Sequence, residues 1–170
     1  MSDICIRSAQ SADIPSLCEL IFEHGPNPWN YLPEAEVRQH LQAIDGGSTR
    51  AVLAEDDSGL LGFVSFRTSR DFAAHQPAER REALHGYICE AVVRHDCAGR
   101  GLGSRLLEAA VGQLRKDGLQ DIYIDRHEEN AASAGMMRKA GFVELLSYED
   151  LQRRTWGSRR STLCCRRFEG

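Results

Sequence analysis

Residues 97–103 read CAGRGLG and are followed at once by SRLLE, after an apolar run, YICEAVV, at 87–93. Successive backbone N–H groups turned inward at a helix start form an anion site, and glycine serves where a side chain would block the approach or where φ is positive. Gly99, Gly101 and Gly103, with Arg100 and the Ser104 hydroxyl, therefore suit a pyrophosphate; the alternative is that the glycines only shape a turn. A Rossmann dinucleotide site, and with it a nicotinamide-dependent oxidoreductase, fits less well. Asp125 stands where an acid would hold a ribose, but the last glycine of the fingerprint falls on Ser104 and five residues separate Val93 from Gly99. No GK[ST] follows, so a Walker loop fails. Glu90 lies inside the apolar run: it either faces water or is buried, and burial would raise its pKa toward the range of a useful base. His127, Glu128 and Glu129 crowd the rim beside Asp125.

The elements that position these residues follow from periodicity. ICIR (4–7) alternates as a short strand, and 11–24 carries one apolar stripe of a helix through Ile14, Leu17, Cys18, Ile21 and Phe22. GPNPWNYLP (25–33) holds three of the five prolines and is a loop displaying Trp29, Asn30 and Tyr31; residues 33–44 start a second helix on proline. Residues 49–56 and 60–68 form a hairpin across DDSG, and 70–83 is an insertion or a short helix. The clearest signals come next: a strand at 87–93, an amphipathic helix at 104–118 closed by Gly118, a strand at 121–125, a helix from Asn130 ended by Gly141, and strands at 142–146 and 161–168. This order predicts an α/β fold, one mixed sheet flanked by helices, with residues 1–170 forming a single domain.

Length agrees, since 170 residues with 42% apolar content suffice for one core. The net charge of −4 argues against general nucleic-acid or membrane binding. Six arginines between Arg153 and Arg167 form a local basic run that could serve an anionic ligand but reads first as a solvated face. No apolar stretch reaches the roughly 18 residues of a membrane span and the N-terminus lacks signal architecture, so a cytoplasmic protein is expected. The six cysteines contain no CxxC pair, which points to neither metal nor disulfides; all but Cys97 read as buried free thiols.

VVRHDCAGRGLGSRLLEAAV (92–111) resembles the acetyl-coenzyme A signature of the GNAT superfamily of N-acetyltransferases, and NAASAGMMRKAGF (130–142) resembles that family's second signature. The opening CIRSAQSADIPSL (5–17) is similar to the family's usual strand-to-helix start. The resemblance implies a mostly antiparallel sheet with a splayed central strand pair. It implies acetyl-coenzyme A as cosubstrate, with no metal, and direct attack by a primary amine of a small molecule or peptide; a homodimer is compatible with it. Cofactor contacts would come from the main chain of Ala91, Val92 and Val93, from the loop Ala98, Gly99, Arg100, Gly101, Leu102, Gly103 and Ser104, and from Asn130. Glu90 and Asp125 are the candidate bases, with His127 behind them, and Trp29, Asn30 and Tyr31 would frame the acceptor. Two positions depart from the family: Ala98 replaces the usual Gln or Arg of the loop, and Met137 replaces the tyrosine that protonates the leaving thiolate. Tyr148 is the candidate substitute acid. Met137 also motivates a rival reading, a catalytically silent acyl-coenzyme A sensor or partner-binding module.

Overall fold

The structure is a computed structural model and describes residues 3–169. Seven strands form one sheet in the order β1-β2-β3-β4-β5-β7-β6, where β1 is Cys5–Ser8, β2 Arg50–Asp56, β3 Gly59–Ser69, β4 His85–Val93, β5 Asp121–His127, β6 Val143–Glu149 and β7 Arg160–Arg167. All neighbours are antiparallel except β4 and β5. Helices α1 (Ile14–His24) and α2 (Glu34–Gln42) lie between β1 and β2, α3 (Leu102–Lys116) joins β4 to β5, and α4 (Ala131–Lys139) joins β5 to β6.

Alternation along the strands builds a core on each face. Val52, Ala54, Val64 and Phe66 meet Leu106, Leu107, Ala110 and Leu114 of α3, while Leu53 and Phe63 meet Leu17 and Ile21 of α1 and Leu41 of α2. Each large side chain so buried contributes about 1.5–3 kcal/mol. A smaller cluster of Tyr123, Leu163 and Cys165 with Phe72, Tyr87 and Tyr148 lies over β5 and β7.

Segment 70–83 makes two short 3₁₀ turns, Ala73–His75 and Ala78–Arg80, rather than a regular helix. The thiol expectation needs revision. Cys97 is buried along with Cys18, Cys164 and Cys165, whereas Cys5 is exposed and Cys89 is partly so. No helix among the described residues is long and apolar enough to cross a membrane.

Candidate active site

The sheet opens at its centre. Strand β4 pairs with β5 only from Gly86 to Ile88, opposite Ile122 to Ile124, and Cys89 to Val93 then run without a β5 partner. The divergence begins at a β-bulge: Ser65 pairs with Glu90 and Phe66 with Ile88, so Cys89 is an extra residue on β4. Such a bulge bends its strand and re-aims the following side chains. The Arg94 amide donates to the Leu61 carbonyl at 2.7 Å. Because main-chain groups alternate along a strand, Val92 also bonds toward β3, and Ala91 and Val93 present their amides and carbonyls to the gap. The gap widens into a cavity of about 320 Å³ lined by β4, β5, α2, α4 and the loops around Tyr31 and Arg153.

The glycine loop follows β4 directly. Gly99 and Gly101 have φ of 80° and 75°, and Gly101 caps α3 in the left-handed conformation. Gly103 has a different setting: a Cβ there would press on the Met136 thioether of α4. The first intrahelical bond of α3 runs from the Arg105 amide to the Gly101 carbonyl. The amides of Leu102, Gly103 and Ser104 thus remain unclaimed within the helix, at its positive end. The Ser104 hydroxyl is not free for an anion, since it donates to the Met136 carbonyl at 3.2 Å. A cation that the sequence did not advertise stands here instead: a Cβ at Gly101 would lie 3.0 Å from Lys139 Nζ. Turn chemistry and an amide cradle therefore coexist in CAGRGLG.

At the other end of the gap stand two carboxylates. Glu90 lines the cavity with no hydrogen-bond partner among the described residues, and burial, with the Asp125 charge second, pushes its pKa up to about 8. The Asp125 side chain is 4% exposed, and both its oxygens are engaged, accepting from the Tyr87 hydroxyl at 3.2 Å and from Arg153 Nη1 at 2.9 Å. His127 is also committed, donating through Nε2 to the Trp156 carbonyl at 2.7 Å and accepting the Glu129 amide at Nδ1. Of the predicted acceptor residues, Asn30 and Tyr31 line the cavity, while Trp29 packs its ring 4.8 Å from that of His127.

The Trp29 carbonyl accepts from Arg154 Nη1 at 3.1 Å, tying the 150–159 segment to the α1–α2 loop. Arg153 and Arg154 are thus turned inward, because Asp125, Ser161 and Trp29 offer partners there. The solvated-face reading fails for these two residues. Arg166 and Arg167 are paired as well, with Glu108 and Asp121.

A model of the Acetyltransferase (GNAT) family matches residues 14–142. The chain belongs to the GNAT family. Two curated acetyltransferases agree: the L-methionine sulfoximine/L-methionine sulfone acetyltransferases of Pseudomonas paraeruginosa and Pseudomonas aeruginosa are each 30% identical over 145 residues, covering 81% of this chain and 78% of theirs. Among solved structures, a ribosomal-protein-alanine N-acetyltransferase from Brucella melitensis superposes with a TM-score of 0.73 at 21% identity, over 96% of this chain and 99% of that one. An IAA acetyltransferase from Bacillus cereus gives 0.71 at 14%, over 98% and 100%. The protein is an N-acetyltransferase, and the oxidoreductase and silent-module readings fall away.

In this GNAT chain Met137 is 4% exposed within the α3–α4 core, and it lines the cavity without offering a proton. Tyr148, the candidate substitute acid, is not among the residues that line the cavity. A second bulge, between Glu144 and Leu146, reverses the facing of the strand beyond it. Glu144 stays on the Cys164 face with Met137, while Tyr148 pairs with Ser161 and joins Tyr123 and Tyr87 on the face that also carries Asp125. His40 lies inside the cavity without having been singled out. It hydrogen-bonds Ser65 Oγ through Nε2 at 2.8 Å, and burial, with Arg67 second, lowers its pKa to about 4. Asn130 lines the cavity and caps α4, accepting from the Ser133 amide at 3.1 Å.

Proposed function

We propose that this N-acetyltransferase takes its acetyl group from acetyl-coenzyme A and delivers it to the primary amine of a small molecule held in the cavity. Bound acetyl-coenzyme A supplies an acetyl group activated as a thioester. The inward main-chain groups of Ala91 and Val93 would hold the pantetheine arm, with Val92 keeping that stretch against β3. The amides from Ala98 to Ser104 would hold the pyrophosphate, with Arg100 and Lys139 as cations beside them and the buried Leu102 side chain anchoring the helix start. The donor set fits a phosphate-bearing ligand, since unpaired amides at a positive helix end and two cations favour an anion. Asn130 would contact the arm through the amide nitrogen left free by its capping role.

Glu90 is the proposed base. A carboxylate needs a raised pKa to take a proton from an ammonium near neutral pH, and Glu90 has the burial and the missing partner that raise it. Asp125 is assigned a positioning role, because its oxygens are already bonded to Tyr87 and Arg153. Glu90 takes one proton from the ammonium, the freed nitrogen bonds to the acetyl carbon as the carbon–sulfur bond breaks, and the second nitrogen proton is lost to water. The sulfur takes a proton from water, there being no acid at Met137. The observation that carries this reading is the unpartnered Glu90 carboxyl one residue beyond the bulge that parts β4 from β5. Asn30 and Tyr31 would meet the acceptor, with Trp29 acting behind them. A cytoplasmic location goes with this reading.

The test is thiol release from acetyl-coenzyme A across a panel of amines, with mass spectrometry of the products. L-Methionine sulfone and L-methionine sulfoximine come first, because two relatives carry those acceptors in their names. N-acetylated product is expected. Binding of coenzyme A without thiol release above the hydrolysis background for any amine would sink the reading.

A further inference from the structure

Arg153 and Arg154 are adjacent in sequence and line the same cavity, yet they are held differently. Arg154 is 5% exposed, and its guanidinium is taken up by the chain: Nε donates to Ser161 Oγ at 2.8 Å, Nη1 to the Trp29 carbonyl, and Nη2 lies 3.9 Å from Asp125. The side chain of Arg153 is 35% exposed and uses Nη1 alone, at 2.9 Å from Asp125 and 3.7 Å from Asp150. Among the described residues its Nε and Nη2 have no partner. A guanidinium carries five donors in a planar fork whose edge matches the two oxygens of a carboxylate. The fork of Arg153 therefore has an unused edge.

Its surroundings favour an anion. Asp125 holds Arg153 from behind and is itself fixed by the Tyr87 hydroxyl, while Arg67 lies 5.3 Å from the Tyr87 ring and lines the same cavity. Two guanidiniums set side by side repel each other; burial first, and the Arg153 charge second, lowers the pKa of Arg154. An incoming negative group relieves that repulsion. The Arg154–Trp29 bond closes the acceptor end of the cavity, and about 320 Å³ suits a molecule of amino-acid size.

We infer that the acceptor carries an acid group beside its amine, and that Arg153 receives the acid group while the amine faces Glu90. Arg153 is on this basis a specificity-determining residue, and the inference rests on the acetyl-transfer reading above. A hydrogen-bonded charge of this kind sets a preference of at least about 10-fold between acceptors with and without the acid.

The experiment compares matched pairs that differ only in the carboxyl group: L-leucine with isoamylamine, L-tyrosine with tyramine, L-lysine with cadaverine. Thiol release and product mass give kcat and KM for wild type, Arg153→Gln and Arg153→Lys. The double variant Arg153→Gln with Asp125→Asn avoids leaving the Asp125 carboxylate unpaired if the single change unfolds the protein. Wild type is expected to favour the acid of each reacting pair at least tenfold. In the glutamine variants that ratio falls toward one through KM, and lysine restores part of it. Calorimetry on the coenzyme A-loaded protein is expected to show the same loss of amino-acid binding. Wild type acetylating the decarboxylated amines as well as the acids would overturn the inference alone, as would a preference that survives in the glutamine variants. Coenzyme A binding with no thiol release for either member of any pair, nor for L-methionine sulfone or L-methionine sulfoximine, would overturn the acetyl-transfer reading and this inference with it.

Discussion

Arg153 donates to Asp125 at 2.9 Å across 28 residues of sequence, and that bond puts the two cavity carboxylates in different surroundings. Asp125 is held by Tyr87 and Arg153, whereas the half-buried Glu90 carboxyl has no hydrogen-bond partner among the described residues and desolvation raises its pKa.

Rate should follow the ionisation of Glu90. With its pKa at about 8, kcat/KM is expected to climb with pH through that value. Glu90→Gln is expected to remove that limb and lower kcat on the order of 10²–10⁴-fold, with coenzyme A affinity nearly unchanged. Stability carries a second signature. A carboxyl whose folded pKa lies above its unfolded value favours the fold most below about pH 4.5, and that advantage is lost as pH rises through about 8. Glu90→Gln is therefore expected to raise Tm by at least about 3 °C at pH 9 and to leave it unchanged at pH 4. Scanning calorimetry at the two pH values checks it.

Gly101→Val tests the loop. The position has φ of 75° and faces Lys139, so a β-branched side chain strains the backbone and displaces the ammonium. Coenzyme A affinity is expected to fall at least about 10-fold, a loss of about 1.4 kcal/mol, while circular dichroism stays native. Retained affinity in titration calorimetry would mean the pyrophosphate sits elsewhere.

Arg154→Ala unties two loops distant in sequence. It removes the bonds to Trp29 and Ser161 and leaves Asp150 with less compensation. A loss of about 1–3 kcal/mol is expected in urea denaturation, together with faster proteolysis within 150–159. An unchanged cleavage rate would show that the Trp29 bond does not hold the segment.

Met137→Tyr restores the hydroxyl that the family pattern places on α4. Overpacking in this core costs about 1–3 kcal/mol, and Met137→Phe serves as the control for that cost. Tyrosine is expected to raise kcat above that of the phenylalanine variant. Equal kcat in stopped-flow thiol release would mean that protonation of sulfur is not limiting.

The sequence reached the strand, glycine loop and helix from 87 to 116 and the Asn130 helix because their causes are local: positive-φ glycines, a cap, and apolar spacing. Arg153 and Arg154 were misread because their partners lie 28 and 125 residues away, which no charge count over a short window reveals. The facing of Tyr148 was not legible for another reason. Strand facing is a matter of parity, and one inserted residue near Leu145 reverses it without leaving a composition signal. Lys139 and His40 enter the site only through the folding of α4 and α2 against it, although the sequence shows both as ordinary helical polar residues.

The parting of β4 from β5 leaves a row of peptide groups in the middle of the sheet with nothing opposite them. On the proposed reading, a cosubstrate arm carrying its own amides would lie along that row as a short surrogate strand and complete the sheet. Solvent exchange should record this residue by residue. In the empty protein the Ala91 and Val93 amides exchange fast beside a protected Val92, and adding coenzyme A slows the first two without altering the third.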